Sequence, residues 1–266
     1  MAVSADQAGF AEIHVGELSS FDAFALAGAV ARETRRAAIW VGPLPLATRD
    51  PVALALGINS VSLLGGRPAH LSLGASTRTV VRDWHGRDWG GNVELAESRI
   101  ERLRTLLAGG RSPEGFRLGS PAEGSRIGLA AFGPRMTALA DRVADRLLLN
   151  LVTPAQVARY RARVTTSIAV WVPAALGPDP AAVEQLQRSL RGYLAAPAYA
   201  AMFADAGLRG EAEILPAVSA LGDLDSIRGR IAEYHAAGAD TVVLFPATAG
   251  DPGAVRLLNL LGGDSR

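Results

Sequence analysis

The sequence predicts an α/β protein of the TIM-type (β/α)8 barrel class, lacking its first βα unit. Seven short apolar, β-branched runs alternate with longer segments of helical period. Such alternation calls for parallel strands joined by right-handed crossovers. No G-x-G-x-x-G follows any run, so the fingerprint of a dinucleotide-binding doubly wound sheet is missing. The chain also opens MAVSADQAGFAEIHVGE, which reads like the middle of an element. A full barrel needs eight strands in about 250 residues. On periodicity alone, a doubly wound sheet of about five to seven strands stays open as the competing architecture.

The first strand is expected at residues 11–15 (AEIHV), followed by a helix over 21–34 opened by Ser19 or Ser20 as cap. A strand at 37–41 (AAIWV) leads to a helix over 50–64 with Pro51 in its first turn. Residues 69–73 form the third strand. Residues 93–107 form an amphipathic helix with Leu95, Ile100, Leu103 and Leu107 on one side. The Gly-, Ser- and Pro-rich stretch 109–124 reads as a loop. Strands at 126–131, 147–150 and 166–172 follow, with helices at 133–144 and 154–163 between them. A long helical region over 179–206 is broken near Pro197. A helix at 224–236, a strand at 241–245 and a helix at 253–261 close the chain.

Composition narrows the function classes. The 266 residues, 49% hydrophobic and 20% charged, suffice for one domain spanning 1–266. A net charge of +1 gives no field to hold nucleic acid or an acidic membrane. The absence of cysteine removes disulfides, thiolate metal sites and thiol nucleophiles. All 27 Lys+Arg residues are arginine, which removes Schiff-base and P-loop lysines. No run approaches the roughly 20 apolar residues of a membrane span, and the N-terminus has no signal-peptide pattern, so a cytoplasmic protein is expected.

Barrel enzymes place their chemistry at the carboxyl ends of strands. There the sequence puts Glu17, able to meet a ligand or to assist the next helix N-terminus. It puts Gly42-Pro43 after the second strand, a candidate for a cis bond. After the third it puts Gly74, Ala75, Ser76 and Thr77, small and hydroxylic residues that let a ligand approach the backbone. The stretch Arg82-Asp83-Trp84-His85-Gly86-Arg87-Asp88-Trp89 concentrates aromatic and ionisable groups on a loop. The fourth strand passes through Gly133-Pro134 into Arg135 and Met136, where free backbone N–H groups and a guanidinium suit an anion. Asn150 ends the fifth strand. His14, His70 and His235 read as structural. With no paired carboxylates, no metal-ligand spacing and no Ser-His-Asp order, a cofactor is expected to carry the chemistry.

Several stretches together resemble the bacterial luciferase-like superfamily and, within it, the deazaflavin-dependent oxidoreductases. They are AGFAEIHVGE with FDAFALAGAVARET, WVGPLPLATRDPVALALGINSVSLLGGR, LSLGASTRTVVRDWHGRDW, RIGLAAFGPRMTALADRVADRLLLNLVTPAQV and GADTVVLFPAT. The resemblance implies a (β/α)8 barrel that binds coenzyme F420, or alternatively FMN, and transfers a hydride between it and a small organic substrate. A flavin-dependent monooxygenase, or a shortened member with weak or no turnover, are the alternatives. The resemblance implies that Gly42 and Pro43 back the cofactor ring and that Gly74, Ala75 and Ser76 line it. Gly133, Pro134, Arg135 and Met136 would hold its phosphate, with Asn150 close by. It implies a homodimer as well. Glu17, Trp84 and His85 are the expected catalytic-side groups, and no metal is expected. Three departures stand out: no βα unit precedes residues 7–16, Leu18 stands where deazaflavin enzymes carry a histidine, and the loop 109–124 is short.

Overall fold

The computed structural model of the chain describes all residues except 18, 91, 178, 248–251 and 263–266. Helix α1 (Ala2–Ala8) is followed by β1 (Glu12–Val15), α2 (Ala23–Glu33), β2 (Ala38–Pro45), α3 (Pro51–Gly65) and β3 (Ala69–Gly74). Then come α4 (Asn92–Leu107), β4 (Ile127–Ala130), α5 (Pro134–Val143), β5 (Arg146–Asn150), α6 (Pro154–Arg161) and β6 (Ser167–Leu176). Three helices follow in succession, α7 (Pro180–Leu194), α8 (Pro197–Asp205) and α9 (Glu211–Val218). The short β7 (Ala220–Gly222), α10 (Leu224–Ala236), β8 (Thr241–Pro246) and α11 (Pro252–Gly262) complete the order. All seven expected strands are present, and no strand precedes β1 among the described residues.

Contacts divide the chain into two compact units. One is Gly9–Leu147; the other is Leu148–Arg266 with Val3–Ala8. In the first, β1 to β4 pair in parallel and in chain order, with Ile13 opposite Ile39, Trp40 opposite His70 and Leu73 opposite Leu129. Strand alternation puts Ile39, Val41, Leu71 and Leu73 on one face and Trp40, His70 and Ser72 on the other, and all seven are buried. Burial on both faces is what parallel strands require. In the second unit, β6 pairs in parallel with β8 from Ala169 to Ala174, and with β7 only at its last three residues.

Helix starts follow local chemistry. Asp22, Asp50 and Asp223 each accept a backbone N–H of the first turn, from Ala25, Ala53 and Ser226. Thr153 and Gln156 form a reciprocal capping box on α6. Pro51, Pro134, Pro154, Pro180 and Pro197 stand at first-turn positions, where the missing N–H costs nothing.

Several expectations need correction. Asp22, not Ser19 or Ser20, caps α2, because its carboxylate lies in reach of the Ala25 N–H. The buried stripe of α4 is Ala96, Ile100, Leu103 and Leu106 rather than one centred on Leu95 and Leu107. The small Ala96 sets that phase where the bulkier Leu95 suggested another. Residues 82–84, expected as the start of a loop, belong to a π-helical turn over Thr79–Trp84. Helices α1 and α9 and the three-residue β7 were not expected, and α9 tolerates Pro216 within it. The helical region over 179–206 is broken at Pro197 as expected, giving α7 and α8. Among the described residues no helix is long and apolar enough to cross a membrane.

Candidate functional site

The carboxyl ends of β2, β3 and β4 meet in the first unit. The ladder between β2 and β3 slips by one residue between Val41 and Leu44, and Gly42-Pro43 lies in that bulge as a cis peptide, as the dipeptide suggested. Gly42 adopts φ +117°, and a Cβ there would lie 2.2 Å from the Ser72 carbonyl oxygen. Only glycine fits. Around it Trp40, Val41, Leu44, Pro45 and Leu46 are buried while Pro43 is exposed, so the bulge turns one flat ring outward from a buried strand.

Gly74 ends β3 beside that ring. A Cβ on Gly74 would stand 3.2 Å from the Ala130 Cβ and 3.8 Å from the Pro43 Cβ. Pro43, Gly74 and Ala130 therefore make a close-packed shelf with almost no side-chain relief, in which even a Cβ on the buried Gly74 would press on Ala130. Below it the Ser72 hydroxyl is buried and has no hydrogen-bond partner among the described residues. Ser76, just beyond, takes φ +59°, which is unusual for a residue with a side chain. A strained loop residue, an orphaned hydroxyl and a bare shelf at one strand end are what a planar ligand site needs.

After β4, Gly133 opens α5 without any side-chain cap, and Pro134 takes the first position. The first-turn N–H groups of Arg135 and Met136 are thus not used by a side chain at the cap, and the helix dipole favours an anion there. Arg135 is largely exposed and donates to Glu94 Oε1 at 2.7 Å. Such a surface pair is worth about 0–1 kcal/mol, so an anion could take the guanidinium from Glu94 cheaply.

Glu17 stands apart from the shelf's chemistry. Its two carboxylate oxygens accept from both terminal nitrogens of Arg49 at 2.8 Å, and Oε2 also accepts the Ala23 N–H at 2.9 Å. Arg49 donates further to Asp22 at 2.7 Å. The Glu17 hydrogen bond holds the Arg49 pKa up, so the guanidinium is charged throughout the working range. This arrangement ties the exit of β1 to the start of α2, the structural role that a helix-assisting acid takes. Leu18 lies outside the described residues. Trp84 and His85 lie on and just after the π-helical turn, both exposed. Asn150 belongs to the second unit, where its amide donates to the Tyr199 hydroxyl at 2.8 Å.

The opposite ends of the same strands hold a different group. Arg146 donates to both oxygens of Glu12 at 2.7 and 2.9 Å, and His14 Nε2 lies 3.0 Å from Glu12 Oε2. The Arg146 guanidinium also sits 4.4 Å from the centre of the Trp40 ring, against which His14 is stacked. Burial works against ionising Glu12, but the hydrogen bonds from His14 and Arg146 prevail and hold its pKa at about 2. Burial and the Arg126 charge push His70 down to about 4, and its Nδ1 accepts the Arg126 N–H. His235 contacts the Ala239 carbonyl at 2.9 Å. The structural reading of these three histidines agrees with their contacts.

The sequence reading missed Ser72, Ala130 and the tyrosines around Asn150. Ser72 was detectable only as a polar residue in an otherwise apolar strand. Among the described residues no group of His, Asp and Glu could hold a metal ion.

The family model for luciferase-like monooxygenases matches residues 1–241. The chain belongs to that family. No curated protein sequence matches it. An F420-dependent secondary alcohol dehydrogenase, solved with an F420–acetone adduct, aligns with a TM-score of 0.80 at 16% identity, over 98% of this chain and 91% of that one. The F420-dependent tetrahydromethanopterin reductase of Methanopyrus kandleri gives 0.71 at 16% identity, over 97% and 91%. The oxygenating component of 3,6-diketocamphane monooxygenase from Pseudomonas putida, solved with FMN, gives 0.70 at 17% identity, over 98% and 89%. At these identities the likeness shows the fold, which settles the architecture as the luciferase-like TIM-barrel type. This luciferase-like chain thus shares its fold with both deazaflavin and flavin enzymes.

Proposed function

We propose that this luciferase-like protein is an oxidoreductase that binds coenzyme F420 and transfers a hydride between it and a small, uncharged organic substrate. The observation that carries the reading is the shelf of Pro43, Gly74 and Ala130, backed by the orphaned Ser72 hydroxyl. A flat tricyclic ring fits a surface stripped of side-chain relief, and Gly42 permits the backbone approach that shapes it. Gly74, Ala75 and Ser76 would run along the ring. The uncapped α5 N-terminus, with Gly133, Pro134, Arg135 and Met136, would hold the phosphate. When bound, the deazaflavin supplies a hydride-carrying carbon. The chain's own part is to present a dry, rigid face, to neutralise the phosphate and to fix the ring's position for transfer. Glu17, already committed to Arg49, acts by positioning the β1 exit. His85 and Trp84 remain candidates on the substrate side.

The test is a fluorescence titration of the purified protein with F420 and with FMN. Micromolar binding of F420 is expected, with FMN weaker. Binding of FMN alone would transfer the reading to a flavin-dependent monooxygenase, and binding of neither would overturn it.

We also propose that two copies of the chain associate through the first unit. Helices α2 and α3 leave Leu26, Leu56, Leu63 and Leu64 exposed, as is Phe21 just before α2, and exposed apolar side chains in such number mark an interaction surface. Sedimentation should show a dimer that Leu63→Glu converts to a monomer; a wild-type monomer would refute it.

A further inference from the structure

Helices α4 and α5 pack side by side in the first unit, joined by three ties that fall in the same order along both. Glu94 meets Arg135 at 2.7 Å near their starts, Glu97 meets Arg142 further on, and Arg104 donates to the Val143 carbonyl near their ends. The helices therefore run in parallel. The first turn of α4, which holds Glu94, lies level with the first turn of α5, which holds Arg135. Both positive dipole ends point the same way, each equivalent to about half an elementary charge. Glu94 is thus a carboxylate set against the place to which the proposed function assigns the cofactor phosphate. Its own backbone N–H and the Arg135 guanidinium hold its pKa down, so it stays ionised at neutral pH. The bond to its own N–H keeps the carboxylate at the first turn when Arg135 swings to a ligand.

The charge balance at this corner sets which phosphate fits. The charges of Arg135 and Glu94 cancel, which leaves the two helix ends with about one positive unit between them. The phosphate of F420 is a diester with a single negative charge, which that field balances. FMN ends in a monoester, which carries about 1.5 to 2 negative charges at pH 7, and the excess faces Glu94. Without the carboxylate, Arg135 and the two helix ends would suit a dianion. We propose that Glu94 is a specificity-determining residue, whose charge disfavours the phosphomonoester of FMN and leaves the phosphodiester of F420 preferred. The inference rests on the reading that this turn of α5 holds the cofactor phosphate, and adds to it the reason one cofactor is chosen over the other. Both side chains are largely exposed, so water and salt screen the effect and the discrimination is modest.

The experiment is a fluorescence titration of the full chain at low ionic strength, as wild type, Glu94→Gln and Glu97→Gln. The ligands are F420, FMN and riboflavin, the last carrying the FMN ring without its phosphate. At about pH 7.5, Glu94→Gln should tighten FMN by about threefold or more, tighten F420 by less and leave riboflavin unchanged. Glu97→Gln removes a carboxylate of the same helix that pairs near the far end of α5, and should leave FMN nearly as weak as in wild type. A second readout is pH. At about pH 5.5 the FMN phosphate has lost most of its second charge, its pKa being about 6, while Glu94 is still ionised. The FMN gain from Glu94→Gln should then shrink to that of F420, whose own gain is the same at both pH values. FMN affinity unchanged by Glu94→Gln, an equal gain for riboflavin, an equal gain in Glu97→Gln, or an FMN gain that persists at the lower pH would overturn the inference. If F420 binds throughout, any of these results rejects the role of Glu94 alone. Binding of neither cofactor to any of the three proteins rejects the cofactor reading and this inference with it.

Discussion

The two ends of strands β1 to β4 in the first unit are built on opposite rules. At the amino ends, large polar side chains are buried and held by neighbours: Glu12 by Arg146 and His14, the Trp40 ring by imidazole and guanidinium although its N–H has no hydrogen-bond partner among the described residues, and His70 by the Arg126 backbone. At the carboxyl ends, small residues leave surface bare, with Gly42, Pro43, Gly74 and Ala130 around an unsatisfied Ser72 hydroxyl. The difference separates stability from function. A buried ion pair with both carboxylate oxygens used fixes the amino end, whereas the carboxyl end offers a surface of glycine, proline and alanine with no ion pair across it.

The sharpest way to break the contrast is at Glu12. Glu12→Gln leaves the Arg146 charge buried without its counter-ion, and should lower unfolding stability by about 3–5 kcal/mol in urea titration. Cofactor affinity in the surviving folded fraction should stay the same. A loss under 1 kcal/mol would show that the amino end is not the stabilising one.

Acid should act on the same end. His70 has its pKa lowered from 6.5 to about 4, so its neutral form belongs to the folded state. The unfolded chain takes up that proton first, and stability falls as pH drops from about 6.5 to about 4. Glu12, lowered from 4.5 to about 2, continues the loss from about pH 4.5 to 2, as the unfolded carboxylate protonates before the folded one. His70→Gln keeps an acceptor for the Arg126 N–H and should reduce the slope between pH 6.5 and 4, leaving the part due to His14, whose pKa burial also lowers. An unchanged slope there would remove His70 as the cause.

The smallest expected effect in free energy falls at the other end. Gly74→Val presses a branched side chain against Ala130 and Pro43. It should weaken F420 binding by about tenfold, or 1.4 kcal/mol, with a shift in stability well below that of Glu12→Gln. Unaltered F420 binding would mean that the shelf is not where the ring lies.

Much of the fold was legible because its signals are local. Asp50-Pro51, Thr153-Pro154-Ala155-Gln156 and Asp223 announce helix starts in consecutive residues, and AAIWV or RLLLN announce buried parallel strands by composition alone. Gly42-Pro43 was readable as a cis candidate for the same reason. What escaped notice was weak or non-local. The three residues of β7 carry too little pattern to stand out, and α4 took its phase from an alanine. Glu17 looked free for a ligand until Arg49, 32 residues away, claimed both of its oxygens. Asn150 looked like a phosphate neighbour until Tyr199 proved to be its partner.

The sequence by itself determined the α/β alternation, the family and the small residues that end β2, β3 and β4, because periodicity, capping and glycine placement are written in adjacent positions. Only the tertiary structure decided which polar groups are spent and which are left over. Hydrogen bonding and burial join residues that the chain separates by tens of positions, and a side chain becomes available for chemistry only once those distant claims on it are counted.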